Sequence, residues 1–441
     1  MTASDHVRTV EEISFIDPAT SSDPYDAFAL LQRECPVYRV PETGAYMVTK
    51  YDHVREVLRD HATFSNQPAS SPAMAPGGTR AKVEAMLRER GWAHVNTLQR
   101  TDPPEHTRYR KLLDRVFSAA RVRELTPYIE SVARELIDDF IDDGACDFNQ
   151  QFAMPMPGTI IAEQLGLGRT EVARFKRWAD AMLGVSYGGG PLTAEQILAN
   201  AEIELEAQHF FRDVFEARRV EPREDLMSRL VHAHGEDEQP LTMDELQNVM
   251  HQLITGGFET TQSAINHGLW ALIRHPELLP RLQADPALIK TFVEEVLRWE
   301  SPVVFLSRST TRDAALGEVT IPEGSTVMVG FGAANRDQER FVCPERFDID
   351  RGDLQGHVAF GNGVHYCVGA MLARQEMLTA FTQVVERMDQ IELAQPLPEP
   401  VHYFSMSFIP MHDFHITFRK RDAGKTASTK DPDGRGGADG R

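Results

Sequence analysis

Between Pro24 and Asn66 the apolar positions fall in short runs separated by turns. Pro36–Val40 and Ala45–Thr49 alternate with period two around Pro41-Glu42-Thr43-Gly44, which predicts a β-hairpin. Gln67 to Gly78 is rich in Pro, Ser, Ala and Gly and carries no period, which predicts a long surface loop of the kind that serves as a lid or binding loop. From Pro103 to about Val231 the spacing turns helical, with Leu125, Ile129, Val132, Leu136 and Ile137 on one stripe. Ser186 to Pro191 interrupts that pattern as either a hinge or lid tip, or an ordinary helix connection. Thr242-Met243-Asp244-Glu245 is a capping box, and Leu246, Val249, Met250, Leu253 and Ile254 continue it at helical spacing until Pro276. The pattern predicts one helix from Thr242 to His275, roughly 50 Å long at about 1.5 Å per residue. The final third mixes a helix at Phe292–Trp299, strand-like pieces at Gly317–Ile321 and Ser325–Gly330, and a last long helix after Cys367. Beyond Phe418 the chain is rich in Gly, Asp and Lys without periodicity, which predicts disorder.

Composition narrows what such a chain does. Of 441 residues, 41% are hydrophobic and 25% charged, as in soluble globular domains, so a large core is possible. The net charge of −20 argues against a whole-surface nucleic-acid binder, which needs a basic stripe to displace counterions from phosphates. Cys35, Cys146, Cys343 and Cys367 form no CxxC pair, so neither a disulfide framework nor a zinc knuckle is indicated. Neither a signal peptide nor an apolar run long enough for a bilayer is visible, and the expected compartment is the cytoplasm.

Three segments carry candidate chemistry. In Phe360-Gly361-Asn362-Gly363-Val364-His365-Tyr366-Cys367-Val368-Gly369 a cysteine follows a glycine-rich turn and precedes a helix. Backbone amides and the helix dipole would lower its pKa and make it a metal ligand, whereas an isolated cysteine is more often a small buried hydrophobe. Gly369 removes bulk where a flat cofactor could lie. Thr255-Gly256-Gly257-Phe258-Glu259-Thr260-Thr261 places two glycines inside a helix, each costing about 1 kcal/mol against alanine. Glu259 and Thr260 add an acid and a hydroxyl able to hold a water chain and deliver protons; the alternative is a helix restarting with Thr260 as N-cap. Glu295-Val296-Leu297-Arg298 is an i, i+3 ion pair of a kind common on surface helices.

Taken together and in order, these segments resemble the cytochrome P450 superfamily, over most of the chain from about Pro24 to Phe418. The resemblance implies a mainly α fold with a small β-rich region and a long central helix over haem. It divides the chain into an N-terminal extension at 1–23, a catalytic domain at 24–418 and a disordered tail at 419–441. It implies haem b, ligated through its iron by Cys367 and flanked by Gly256, Phe360, Gly361 and Gly369. It assigns proton management to Glu259 and Thr260, and haem-loop bracing to Glu295, Arg298 and Arg346. His106 and Arg110, four apart in Asp102–Arg110, would join Arg308 and His365 in holding the haem propionates. The pocket would be lined by Gln252, Thr255, Val303, Val304, Phe305, Leu306 and Met406, mostly apolar, with Gln252 and Thr255 offering hydrogen bonds.

The resulting expectation is a haem-thiolate monooxygenase that hydroxylates, epoxidises or dealkylates a small terpenoid, steroid or aromatic. It would use O2 and electrons from a ferredoxin or flavodoxin with its NAD(P)H-dependent reductase, without nucleic acid or membrane. Gly330–Asn335 and Gly361–Tyr366 both miss the last glycine of GxGxxG, so no nicotinamide motif accompanies the site. Two other readings are a peroxygenase or haem isomerase on the same fold, which would tolerate loss of Glu259 and Thr260, and a non-catalytic haem-binding gas sensor, which would lack an apolar pocket.

Overall fold

The computed structural model describes residues 9–15, 17, 20, 23–67, 78–184, 192–232, 239–395 and 414–421. Helices dominate: α1 (Tyr25–Glu34), α2 (Tyr51–Arg59), α3 (Thr79–Arg90), α4 (Glu105–Val116), α5 (Ala119–Asp138), α6 (Pro155–Gln164), α7 (Val172–Leu183), α8 (Ala194–Val220), α9 (Leu226–Val231), α10 (Met243–Gly257), α11 (Glu259–Arg274), α12 (Leu278–Ala284), α13 (Ile289–Trp299), α14 (Phe331–Asn335) and α15 (Ala370–Arg387). The predicted hairpin is β1 (Val37–Arg39) and β2 (Tyr46–Val48), antiparallel with Val37 opposite Val48. Gly44 turns it with φ +71°, a left-handed conformation that glycine adopts without strain. With β3 (Phe64–Ser65), β4 (Ala145–Asp147), β5 (Phe305–Thr310), β6 (Ala314–Leu316), β7 (Val319–Ile321), β8 (Thr326–Gly330), β9 (Met388–Leu393) and β10 (His415–Lys420), the strands form three sheets.

The larger sheet has the order β1-β2-β8-β5-β3, and its parallel β2–β8 pair, with Tyr46 opposite Val327, joins the start of the chain to its final third. Around it pack two apolar clusters, one with Val48, Val54, Leu316, Val329 and Phe341, the other with Phe15, Phe28, Leu31, Met47 and Val304. Ile13 and Phe15 are buried in the second cluster, so the boundary expected at residue 23 falls inside a packed unit. At the other end β10 pairs with β4 and β9 and runs to Lys420, one residue past the expected start of the tail. The helices bury the largest cluster, centred on Ile129, Phe152, Trp178, Phe258, Leu269 and Phe381. No helix among the described residues is long and apolar enough to cross a membrane.

The expected single helix from Thr242 to His275 is two. Its capping box forms, Thr242 N donating to Glu245 at 2.7 Å and Glu245 N to Thr242 at 3.3 Å. The helix then stops at Gly257 and restarts at Glu259, with Phe258 between them at φ −98° and ψ −68°. Two consecutive glycines weaken the ladder there, and the Thr260 hydroxyl donates to the Gly256 carbonyl at 2.7 Å across the break. The side chain of Phe258 is buried, which fixes the joint.

Farther along α11, Gly268 sits against Phe381 of α15, where an added Cβ would lie 2.0 Å from the ring. Because Phe381 is fully buried, the ring has little room to yield. Gly268→Ala is therefore expected to destabilise the protein by about 1–3 kcal/mol through overpacking, opposite in sign to the ordinary glycine-to-alanine gain in a helix. A lower urea midpoint of unfolding checks it, and an unchanged or raised midpoint refutes it.

Candidate functional site

A cavity of about 300 Å³ lies between α10, α11, the start of α4, the segment Pro302–Arg308 and the Phe360–Gly369 loop. It brings together Cys367, His106, Arg110, Arg308, His365, Gly256, Thr260, Phe360, Gly361 and Gly369. The cysteine loop is shaped by Gly361 and Gly363, at φ +74° and +73°. At Gly363 an added Cβ would also stand 2.5 Å from the Leu58 carbonyl, so only glycine lets the loop lie against α2. Cys367 N then donates to Phe360 O at 2.9 Å, closing the loop beneath the cavity.

Cys367 lines the cavity, and the residue is open on that side. The expected lowering of its pKa is not borne out. Burial raises it, and the amides of Gly369 and Ala370 with the charges of Arg110 and Arg374 only partly oppose that.

Four basic side chains converge on one side of the cavity. The rings of His106 and His365 lie 4.2 Å apart. Burial lowers the pKa of both, that of His365 to about 4 with help from His106 and Arg308. Burial also pulls Arg308 down to about 10. Among the hydrogen bonds of the described residues Arg308 donates only to the adjacent Ser307 carbonyl, and His365 Nε2 is buried with no hydrogen bond, 3.5 Å from Asp102 Oδ1. Arg110 donates to Asp114 at 2.7 Å and to the Tyr366 carbonyl of the cysteine loop. Buried donors lacking acceptors are costly unless an anion completes them, which fits a cofactor carrying carboxylates. Gly256 has no atom within 4 Å of where a Cβ would stand, which fits a flat group close to the backbone.

Thr260 lines the cavity, whereas Glu259 does not. The Glu259 carboxyl is 3% exposed and stands 3.1 Å from Lys176 Nζ of α7, which also pairs with Asp180. Burial raises its pKa to about 7, Lys176 opposing and Asp180 adding to the rise. Lys176 and Asp180 escaped the sequence reading because an i, i+4 pair on a polar helix face looks like any other. Glu376 of α15 also escaped it. This carboxyl lines the cavity floor, has an unpartnered buried oxygen, and is pushed up to about 8 by burial.

The bracing network differs by one residue from expectation. Glu295 and Arg298 are fully buried and paired at 2.6 Å, and Arg298 also donates to the carbonyls of Asn335 and Pro344 at 2.9 Å. The third member is Arg351, whose Nε lies 3.1 Å from Glu295 Oε1 and whose other nitrogens hold the Val342, Cys343 and Arg346 carbonyls. The Arg346 side chain is 74% exposed, with Asp348 3.8 Å away. Its carbonyl, rather than its guanidinium, enters the network.

Of the expected pocket residues, Gln252, Thr255, Val303 and Leu306 line the cavity. Val304 and Phe305 do not: they pack instead in the cluster with Phe15 and Phe28, Phe305 opening strand β5. Met406 lies outside the described residues, as do most of the Gln67–Gly78 loop and Ser186–Pro191. Gln252 and Thr255 are not free donors. Gln252 Nε2 is spent on Thr97 and its oxygen accepts from Gln99 N at 3.0 Å, while Thr255 donates to the His251 carbonyl at 2.8 Å. Leu98, Phe117, Ile161, Ala264 and Leu297 complete a largely apolar wall.

Residues 191–401 match the family model for cytochrome P450. The chain is 34% identical to 6-deoxyerythronolide B hydroxylase of Saccharopolyspora erythraea over 84% of its length and 90% of that protein. It is 35% identical to cytochrome P450 monooxygenase PikC of Streptomyces venezuelae, covering 92% of this chain and 94% of the relative. It is 32% identical to vitamin D(3) 25-hydroxylase of Pseudonocardia autotrophica, covering 91% and 95%. Among solved structures, cytochrome P450 CYP109Q5 from Chondromyces apiculatus matches with a TM-score of 0.79 at 34% identity, over 93% of this chain and 99% of that one.

Proposed function

The chain belongs to the cytochrome P450 superfamily and is a haem-dependent monooxygenase, and from that premise we propose that it oxygenates a bulky hydrophobic molecule held over Cys367. The observation that carries this reading is one cavity in which Cys367, four basic side chains and Thr260 meet under an apolar wall. Haem, when bound, supplies the activation of dioxygen that side chains lack. Cys367 would hold its iron through the thiolate, and His106, Arg110, Arg308 and His365 would receive its carboxylates. Leu98, Phe117, Ile161, Val303 and Leu306 exclude water and hold the substrate by desolvation and shape. Gln252 and Thr255, their protons already committed, act only as acceptors, so they favour a substrate hydroxyl over a carbonyl at that wall.

Relatives hydroxylate 6-deoxyerythronolide B and vitamin D(3), going by their names. That adds macrolide-like molecules to the terpenoids, steroids and aromatics that an apolar wall admits. Electrons come from a separate ferredoxin or flavodoxin and its reductase. Titrating the ferric protein with such a panel and following the spin state identifies the class, and turnover with O2, NADH, ferredoxin and reductase must then give an oxygenated product. A product formed equally well from peroxide without reductase would favour the peroxygenase, and haem binding without any product would favour the sensor.

With Thr260 as the hydroxyl on the cavity side, the proton path starts at the half-buried Lys176–Asp180 pair and reaches Glu259. Its carboxyl is protonated below about pH 7 and charged above it. The fraction of NADH consumption coupled to product is expected to fall as pH rises through 7, and Glu259→Gln should remove that dependence. Thr260→Ala should divert electrons to peroxide with substrate still bound; unchanged coupling in both variants sinks the relay.

A further inference from the structure

His94, Glu204 and His251 meet outside the cavity wall, brought together from the segment after α3, from α8 and from α10. His94 Nε2 lies 2.6 Å from Glu204 Oε1, and His251 Nδ1 lies 3.5 Å from the same oxygen. His251 Nδ1 is buried with no hydrogen-bond partner. One ligand atom from each residue falls within 4.8 Å of the other two, beside a void of about 10 Å³ walled by Met182, Gln208, Phe211 and Asn248. That space has room for an ion and not for an organic ligand.

The surroundings hold the three side chains in place. Trp92 N donates to Gln208 at 2.9 Å, Ala93 N to Asp244 at 3.0 Å, and Asn248 donates to the Ala93 carbonyl at 3.1 Å. Both residues preceding His94 are thus stitched to α8 and α10 already. Burial alone would raise the Glu204 pKa, but His251 and His94 outweigh it and hold the carboxyl well below the usual range. A charged carboxylate facing two imidazoles is a borderline N,N,O donor set. Two imidazoles and one carboxylate suit Zn2+, with water as a fourth ligand, better than the oxygen-seeking Mg2+ or Ca2+.

We propose that His94, Glu204 and His251 bind one zinc-class divalent cation, which clamps residues 91–99 and α8 onto α10. The neighbouring Gln252 already ties Thr97 and Gln99 to α10 and lines the cavity, so the ion stiffens that wall of the cavity. The metal replaces the proton shared by His94 and Glu204 and gives His251 Nδ1 the partner it lacks.

The test uses the untagged holoprotein after chelator treatment, titrated with zinc chloride by calorimetry, with zinc and haem iron counted after equilibrium dialysis. One zinc per haem is expected. His94→Ala, His251→Ala and Glu204→Gln should each weaken binding about tenfold or more. His275→Asn, which changes a histidine elsewhere, should leave it intact. His94 is the most exposed of the three, so its variant should keep the Soret band and the metal-free melting temperature even if the Glu204 variant folds poorly. Zinc should raise the wild-type melting temperature and slow imidazole binding to the ferric haem several-fold, with neither effect in His94→Ala. No bound zinc, or equal binding in the His94 and His251 variants, overturns the site; equal imidazole rates with and without zinc overturn the clamp.

Discussion

Cys367→Ala is expected to abolish the strongly red-shifted carbon monoxide band of the reduced protein and reduce oxygenation to background. The reason is geometric. Cys367 is the one cysteine that lines the cavity among the described residues; Cys35 packs beside α1, Cys146 is buried in β4, and Cys343 is exposed near Arg351. None of them can substitute. His106 and His365 are assigned to the haem carboxylates rather than to the iron, so an alanine variant that still binds haem should lack the thiolate band. The bound haem, measured by its content per chain, separates loss of the ligand from loss of the fold. A red-shifted band surviving in a variant that keeps its haem would remove Cys367 from the site.

Arg298→Ala should cost about 3–5 kcal/mol, because it leaves the Glu295 carboxylate buried without its bidentate partner and frees two backbone carbonyls. That is a large share of the roughly 5–15 kcal/mol that holds a domain folded, and the holoprotein should lose haem on purification. Arg351→Ala should be destabilising for the same reason, since its guanidinium reaches Glu295 and three carbonyls. Arg346→Ala should change stability by no more than about 0.5 kcal/mol, as an exposed side chain with a loose partner. Urea midpoints of the three variants decide the order. If Arg346→Ala proves as damaging as Arg351→Ala, the assignment of the third member reverts to Arg346.

The cysteine loop and the glycine pair with Glu259 and Thr260 were legible from the chain, because each depends on residue types at short fixed spacings, whereas Arg308 and His365 came only with the family resemblance. A thiol between glycines and a helix start, or a histidine and an arginine one turn apart, carries its chemistry locally. The hairpin, the capping box at Thr242 and the helix after Cys367 were legible for the same reason: turn, cap and period are properties of a few adjacent residues. Tertiary structure alone decided where long-range partners fall. Glu295 has two arginines five residues apart to choose from, and only the path of the chain puts Arg351 within reach and turns Arg346 to solvent. Glu259 meets Lys176 because α7 packs across α10 and the helix breaks at Phe258, a joint that glycine propensity permits but does not locate. Burial likewise reversed the pKa expected from the Cys367 loop, since desolvation depends on everything that surrounds a group and no local motif records it.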